Sequence, residues 1–341
     1  MKNTPSDFGL TMTPHMVTID WHEANGWGDI HLQKYHDLSL APHSQCFHYA
    51  QGVFEGLKAF RQANNDAALF RAYDHARRFQ SSCERLAIPV LGEDVFVDAL
   101  LTLLKADLQY LPDIREGTLY FRPFIIATET SLGFYGRAKS FKFIVIACPM
   151  SNYFSSTNAI NIMVESNYSR SAKGGTGAVK AIGNYAGTIL SQQQAKEQNY
   201  HQVLWLDANH NKYIEELSSS NIFFVYKDKV ITPRLSGSIL PGITRDTTIS
   251  LIQQNNFTVE ESSIELQQLI NDWYNGDLLE VFVTGTTAGI TSVKKIDYLQ
   301  HSLNFEQYLT AQTLAQKLSD IQISKTQNNQ SWLTNLNCHK K

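Results

Sequence analysis

The stretch Ser171–Gly187, SAKGGTGAVKAIGNYAG, places three glycines ahead of a lysine whose neighbours are small or apolar. Gly175-x-Gly177-x-x-Lys180 falls just short of a dinucleotide fingerprint, because a lysine stands where the third glycine belongs and no clean strand leads into it. No glycine is followed directly by lysine, so there is no P-loop. What remains is Lys180 among Ala178, Val179, Ala181, Ile182 and Gly183, with Asn184 and Tyr185 next. Apolar neighbours desolvate an ammonium and favour the neutral amine that Schiff-base chemistry needs. A surface lysine beside a flexible loop would carry the same letters.

Three other stretches extend this reading. In YIEELSSSNIFF, Glu215 and Glu216 end a strand, where a carboxylate can enter a pocket and hold a protonated ring nitrogen, or remain solvated at a turn. In SGSILPGITRD, Ile243 and Thr244 open a predicted helix after Pro241-Gly242; helix N-terminal amides suit a phosphate, and an ordinary capped helix explains them equally. VFVTGTTAGIT runs a buried strand into Gly285-Thr286-Thr287, whose amides and hydroxyls suit anionic oxygens or form a plain turn. Together they supply a Schiff-base lysine, a ring-nitrogen acid and two anion loops, an inventory that suits pyridoxal phosphate.

Composition narrows the alternatives. The 341 residues are 43% hydrophobic and 18% charged, as in a globular protein, and the length predicts about two domains. Lys+Arg 29 against Asp+Glu 32 leaves a net charge of −3, without a basic block for nucleic acid. Apolar runs such as FIVIA are too short to span a bilayer, and MKNTPSDFGL lacks a secretory apolar stretch. Cys46, Cys83, Cys148 and Cys338 are scattered, which predicts reduced thiols and a cytoplasmic protein. There is no H-E-x-x-H, no G-x-S-x-G and no metal cluster, and Ser292-x-x-Lys295 lacks the partner motifs of a penicillin-binding pattern.

The chain reads as α+β in both halves. VFEGLKAFR predicts one strand, hairpin-linked to ALFR, then helices over YDHARRFQSSCERL and EDVFVDALLTLLKADLQYL, the latter ended by Pro112. LYFRPFIIAT and FKFIVIACPM read as strands. The polar residues 151–159 are the expected linker between a small domain, 1–150, and a large one, 160–341. The large domain opens with the strand INIMVES and a helix over about 184–198. Two hairpins, QVLWLDANHNKYIEE and NIFFVYKDKVITP, follow, and LNFEQYLTAQTLAQKLSDI predicts a closing helix. The tail 325–341 is polar and expected to fray.

These segments resemble the branched-chain aminotransferases of the fold-type IV pyridoxal-phosphate class, over nearly the whole chain. HYAQGVFEGLKAFR, LYFRPF, KAIGNYAGTILSQQQA, Glu216-x-x-x-x-Asn221, GSILPGITRD and VFVTGTT occur in the family's order. The resemblance implies a two-domain α+β fold, a homodimer and transfer of the amino group of leucine, isoleucine or valine to 2-oxoglutarate. It implies Lys180 as Schiff-base lysine and proton shuttle, Tyr185 on the cofactor's phenolic oxygen and Glu216, rather than Glu215, on its ring nitrogen. Arg71, Ile243, Thr244 and Thr286 are similar to the phosphate cradle, and Thr286 and Thr287 to the holders of the substrate carboxylate. Tyr49, Phe54, Tyr120, Arg122 and Tyr153 fall where the family lines its side-chain pocket. Ala288 and Thr291 replace the redox C-x-x-C of some animal members, so thiol control is not expected there, and Thr287 replaces a frequent alanine. An NAD-dependent oxidoreductase, a D-amino acid transaminase, an aminodeoxychorismate lyase and an amino-acid-binding protein are the competing readings.

Overall fold

A computed structural model describes residues 8–114, 116–134, 136–151, 159–255, 257–325 and 332–336. They group into two compact units, one within Met1–Tyr153, Val179–Gly183 and Asp320–Lys341, the other within Phe154–Ala178 and Asn184–Ser319. The expected linker at 151–159 lies almost wholly outside the described residues. Val179–Gly183 and the described residues from Asp320 onward group with the first unit, not with 160–341. The physical reason is backbone pairing: Ala181 bridges Val53, and the strand Leu333–Asn335 adds to the edge strand Ala67–Phe70. The described part of the tail, expected to fray, is therefore a paired strand.

The first unit is built on an antiparallel sheet. Its order runs Leu333–Asn335, Ala67–Phe70, Leu57–Arg61, Thr118–Ala127, Ser140–Met150, His15–His22 and Gly26–Trp27. Gly52–Phe54 also pairs with Thr118–Ala127, and His31–Lys34 with His15–His22. Helices Ala72–Arg85 and Glu93–Ala106 bury apolar stripes. Their Phe79 and Phe96 rings lie 5.1 Å apart, and Phe143 of the sheet lies 5.7 Å from Phe79. The second helix ends before Pro112, at Ala106, because the buried Asp107 carboxylate turns to His15, 3.2 Å from its backbone N and 2.6 Å from Nδ1.

VFEGLKAFR is two strands, not one. The ladder breaks at Glu55-Gly56, where the buried Glu55 side chain leaves the sheet for charged partners. A Cβ on Gly56 would stand 2.0 Å from the Tyr120 hydroxyl, so only glycine admits that ring.

The second unit carries a mixed sheet ordered Ile214–Leu217, Gln202–Leu206, Ile160–Val164, Gly289–Tyr298, Leu278–Gly285, Asn221–Tyr226, Lys229–Pro233 and Thr258–Ser262. Both expected hairpins form antiparallel pairs. The helix expected over 184–198 is split into Gly183–Ala186 and Ile189–Glu197, since Thr188 turns its N–H and hydroxyl back onto the Tyr185 carbonyl at 3.1 and 2.8 Å. LNFEQYLTAQTLAQKLSDI begins as the strand His301–Asn304 and becomes helical only over Leu309–Gln322, where the Glu280 carboxylate accepts the Thr310 N–H at 3.0 Å. No helix among the described residues is long and apolar enough to cross a membrane.

Gly56→Ala should cost about 1–3 kcal/mol through overpacking against Tyr120. The denaturant midpoint measures it; an unchanged midpoint would mean that the ring moves freely.

Candidate active site

In the first unit, Lys180 is fixed by its backbone. Its carbonyl accepts the Phe54 N–H at 3.1 Å, its N–H donates to the Ser82 hydroxyl at 3.1 Å, and Ile182 N–H donates to Gly52 at 3.1 Å. The short strand Gly52–Phe54 thus holds the KAI segment, leaving the half-buried Lys180 ammonium 4.8 Å from the Phe54 ring centroid. Arg122 shares that aromatic: its guanidinium carbon is 4.6 Å from the same centroid, and its Nη2 donates to the Tyr120 hydroxyl at 2.9 Å. Phe54, Tyr120, Arg122 and Lys180 therefore come together.

Behind them lies a buried charge network that sequence reasoning missed. The Glu55 carboxylate accepts Arg78 Nε at 2.7 Å and Nη2 at 2.8 Å, and lies 2.7 Å from His75 Nδ1. Burial alone would raise the Glu55 pKa; the Arg78 guanidinium, and then His75, hold it well below the carboxylate range. Burial pushes His75 down, with Arg78 and Lys180 adding to the effect against Glu55. The sequence signal was available: an acid inside an apolar strand, and His75 and Arg78 three apart on one helix face.

Arg71 ends the strand Ala67–Phe70 and donates Nε–H to Asp74 at 2.7 Å. Tyr49 is 37% exposed, and its hydroxyl donates to the Leu132 carbonyl at 2.5 Å while its ring packs 4.9 Å from Phe134. Tyr153 lies outside the described residues.

In the second unit the two neighbouring glutamates differ. Glu216 Oε1 accepts Leu240 N–H at 2.9 Å and pairs with Arg170 Nη2 at 2.5 Å, while Oε2 accepts Asn221 Nδ2–H at 3.1 Å. The Glu216-x-x-x-x-Asn221 spacing is thus a hydrogen bond. Glu215 is held by the Ser238 hydroxyl on one oxygen, and its other oxygen is buried without a partner among the described residues. Burial raises its pKa, against Ser238 and Arg170. Arg170 is the second missed residue, since nothing in SNYSRS distinguishes it. Its guanidinium also donates to the Gly177 carbonyl at 3.3 Å and to the Ser238 carbonyl.

At Gly177 of the glycine-rich loop, packing leaves no room for a side chain. A Cβ on Gly177 would stand 2.1 Å from the Ser171 hydroxyl and 2.2 Å from the Ser238 carbonyl. Thr176 and Asn184 pair side chains at 2.5 Å, which ties this loop to the turn bearing Tyr185. Gly242 is the N-cap of the helix Ile243–Gln254, and no side chain among the described residues caps it. Thr286 and Thr287 form the turn between Leu278–Gly285 and Gly289–Tyr298, closed by the Gly285–Gly289 pair. Just before it, the Thr284 hydroxyl is buried without a partner among the described residues.

A family model for class IV amino-transferases matches residues 52–296. The chain is 40% identical over 300 residues to branched-chain-amino-acid transaminase 1 of Bacillus subtilis, covering 87% of this chain and 84% of that protein. It is 43% identical over 295 residues to a branched-chain-amino-acid aminotransferase of Mycobacterium tuberculosis, covering 85% and 80%. The solved branched-chain amino acid aminotransferase of Escherichia coli superposes with a TM-score of 0.75 at 26% identity, over 94% of this chain and 99% of that one.

Two outcomes follow from the buried charges. The depressed Glu55 pKa contributes stability that is complete above the ordinary carboxylate value of 4.5 and is lost as pH falls below it. Unfolding titrations between about pH 6 and about pH 3 should therefore show less loss in Glu55→Gln than in the unaltered protein; parallel curves would remove Glu55 from this account. Arg170→Met leaves a buried carboxylate uncompensated and should cost about 3–5 kcal/mol at neutral pH, read from the denaturant midpoint.

Proposed function

The chain belongs to the class IV aminotransferase family, and from that premise we propose that Lys180 is its catalytic residue, holding pyridoxal 5'-phosphate through its amine. The reaction is that of a branched-chain-amino-acid aminotransferase. The amino group of L-leucine, L-isoleucine or L-valine passes reversibly to 2-oxoglutarate, giving the branched 2-oxo acid and L-glutamate. The observation that carries the role of Lys180 is its clamped backbone: Phe54 N–H and the Ser82 hydroxyl fix the chain on both sides of an amine resting against an aromatic ring.

The donor set fits the cofactor. A half-buried amine suits an aldehyde, a buried carboxylate with three donors suits a protonated ring nitrogen, and a helix start without a side-chain cap suits a phosphate. When bound, pyridoxal phosphate supplies the electron sink that cleavage of the α-carbon–hydrogen bond needs. The Lys180 amine would take the proton from the substrate α-carbon. Glu216, oriented by Asn221 and Arg170, keeps a proton on the ring nitrogen. Tyr185 donates to the phenolic oxygen, while Arg71, Ile243, Thr244 and Thr286 hold the phosphate. Thr286 and Thr287 offer backbone N–H groups to the substrate carboxylate. Phe54, Tyr120, Tyr49 and Tyr153 give an aliphatic side chain its wall, and Arg122 receives the second carboxylate of glutamate.

The homodimer and the cytoplasmic location belong to the same proposal. An apolar surface supports the dimer: Leu132 and Phe134, 62% and 75% exposed, adjoin Tyr49.

A donor screen with 2-oxoglutarate tests the reading. L-Leucine, L-isoleucine and L-valine should be the best donors and D-alanine inert; faster turnover of D-alanine would move the chain to the D-amino acid branch. Lys180→Ala should lose at least about 100-fold in turnover, because proton transfer loses its carrier. Glu216→Ala should slow α-proton removal strongly and Glu215→Ala far less. Equal effects in single-turnover measurements would show that the wrong carboxylate has been assigned.

A further inference from the structure

Arg71 occupies an unusual backbone position. At the junction of the strand Ala67–Phe70 and the helix Ala72–Arg85 it adopts φ +55° and ψ 38°, a left-handed conformation that a side chain with a Cβ rarely takes. Such a residue persists where its surroundings over-determine it. Here they come from the far end of the chain. The Arg71 N–H donates to the Trp332 carbonyl at 2.6 Å, and the guanidinium carbon lies 5.1 Å from the Trp332 ring centroid. Asp74 takes the Nε–H, which fixes the same group from a second side.

Trp332 is itself anchored. It is 6% exposed, and its ring meets Phe70 edge-on at 6.1 Å. Beyond it, Leu333, Thr334 and Asn335 pair with Phe70, Leu69 and Ala68, and Leu336 N–H donates to Ala67 at 2.9 Å. This short strand lies outside residues 52–296, the part of the chain that the family model matches. In the sequence, Trp332, Leu333 and Leu336 stand close together in a polar tail.

We propose that Trp332 is a positioning residue for Arg71. Its carbonyl holds the left-handed backbone and its indole holds the plane of the guanidinium, so that the arginine meets a phosphate already ordered. A guanidinium fixed by stacking loses less side-chain freedom when it takes an oxyanion, and that saving appears as affinity. The proposal rests on the reading that Arg71 binds the cofactor's phosphate. It predicts that the tail strand tunes phosphate affinity, whereas a strand serving only the fold would affect every ligand alike.

The test is equilibrium binding of pyridoxal 5'-phosphate, and separately of pyridoxal, to the full-length protein stripped of cofactor. Trp332→Leu should weaken the phosphorylated ligand by about tenfold and pyridoxal by less than about twofold. Trp332→Phe, which keeps a flat ring in the core, should weaken the phosphorylated ligand by about two- to fivefold, a partial loss because the smaller ring keeps part of the cation–π contact. It carries the test should the leucine variant not fold. Equal weakening of both ligands, or of neither, in these variants would overturn the role of Trp332. Arg71→Met separates the two layers. If it abolishes the preference for the phosphorylated ligand while the Trp332 variants keep it, Arg71 binds phosphate without help from the tail. If Arg71→Met leaves the preference intact, Arg71 does not hold the phosphate and the role of Trp332 falls with it.

Discussion

A carboxylate cannot be left bare inside a protein, and Glu55 is wholly buried in the first unit. Much of that unit's candidate chemistry is arranged around satisfying it. Arg78 grips both oxygens and His75 approaches one of them, which sets the face that the helix Ala72–Arg85 turns to the sheet. To reach them the strand must break at Glu55-Gly56, and the break separates Gly52–Phe54 from Leu57–Arg61. The freed segment is the one that clamps Lys180, and Phe54 is the ring against which the amine rests. Replacing Glu55 with an apolar residue would remove the reason for the break as well as a charge.

The second unit handles its buried charge differently. Glu216 and Arg170 are both nearly inaccessible, and desolvating two such ions is offset by further hydrogen bonds to the pair. Leu240, Asn221, Gly177 and Ser238 supply these, although Arg170 Nε is buried without a partner among the described residues, and they draw the glycine-rich loop, the turn before the helix Ile243–Gln254 and the strand Ile214–Leu217 onto one guanidinium and one carboxylate. Gly177 is small because two polar atoms crowd the place of its side chain. Glu215 takes no part in that ion pair, and this gives adjacent residues unlike chemistry.

The aminotransferase reaction asks one amine to hold the cofactor and to move a proton, which requires an accurately placed but mobile side chain. At Lys180, the residue proposed for both tasks, hydrogen bonds fix the backbone and the side-chain nitrogen lies against the Phe54 ring. The same division recurs at Arg71, whose main chain is strained and held while its guanidinium lies on an indole.

Local signals in the sequence determined a good deal by themselves. Alternating apolar runs and turn residues specify both hairpins of the second unit and the strand Leu278–Gly285, because strand periodicity and turn chemistry act over a few residues. The ordered motifs around Lys180, Glu216 and Thr286 identify the family for the same reason: each is a short, self-contained string. Only the tertiary structure decided where VFEGLKAFR breaks, why Gly177 must be glycine, that Arg170 serves Glu216, and that Trp332 lies on Arg71. Each of these depends on partners far away in the chain, 261 residues in the last case, and on the cost of burying charge or strain without them. That cost is set by what surrounds an atom in space, and a linear pattern of residues does not contain it.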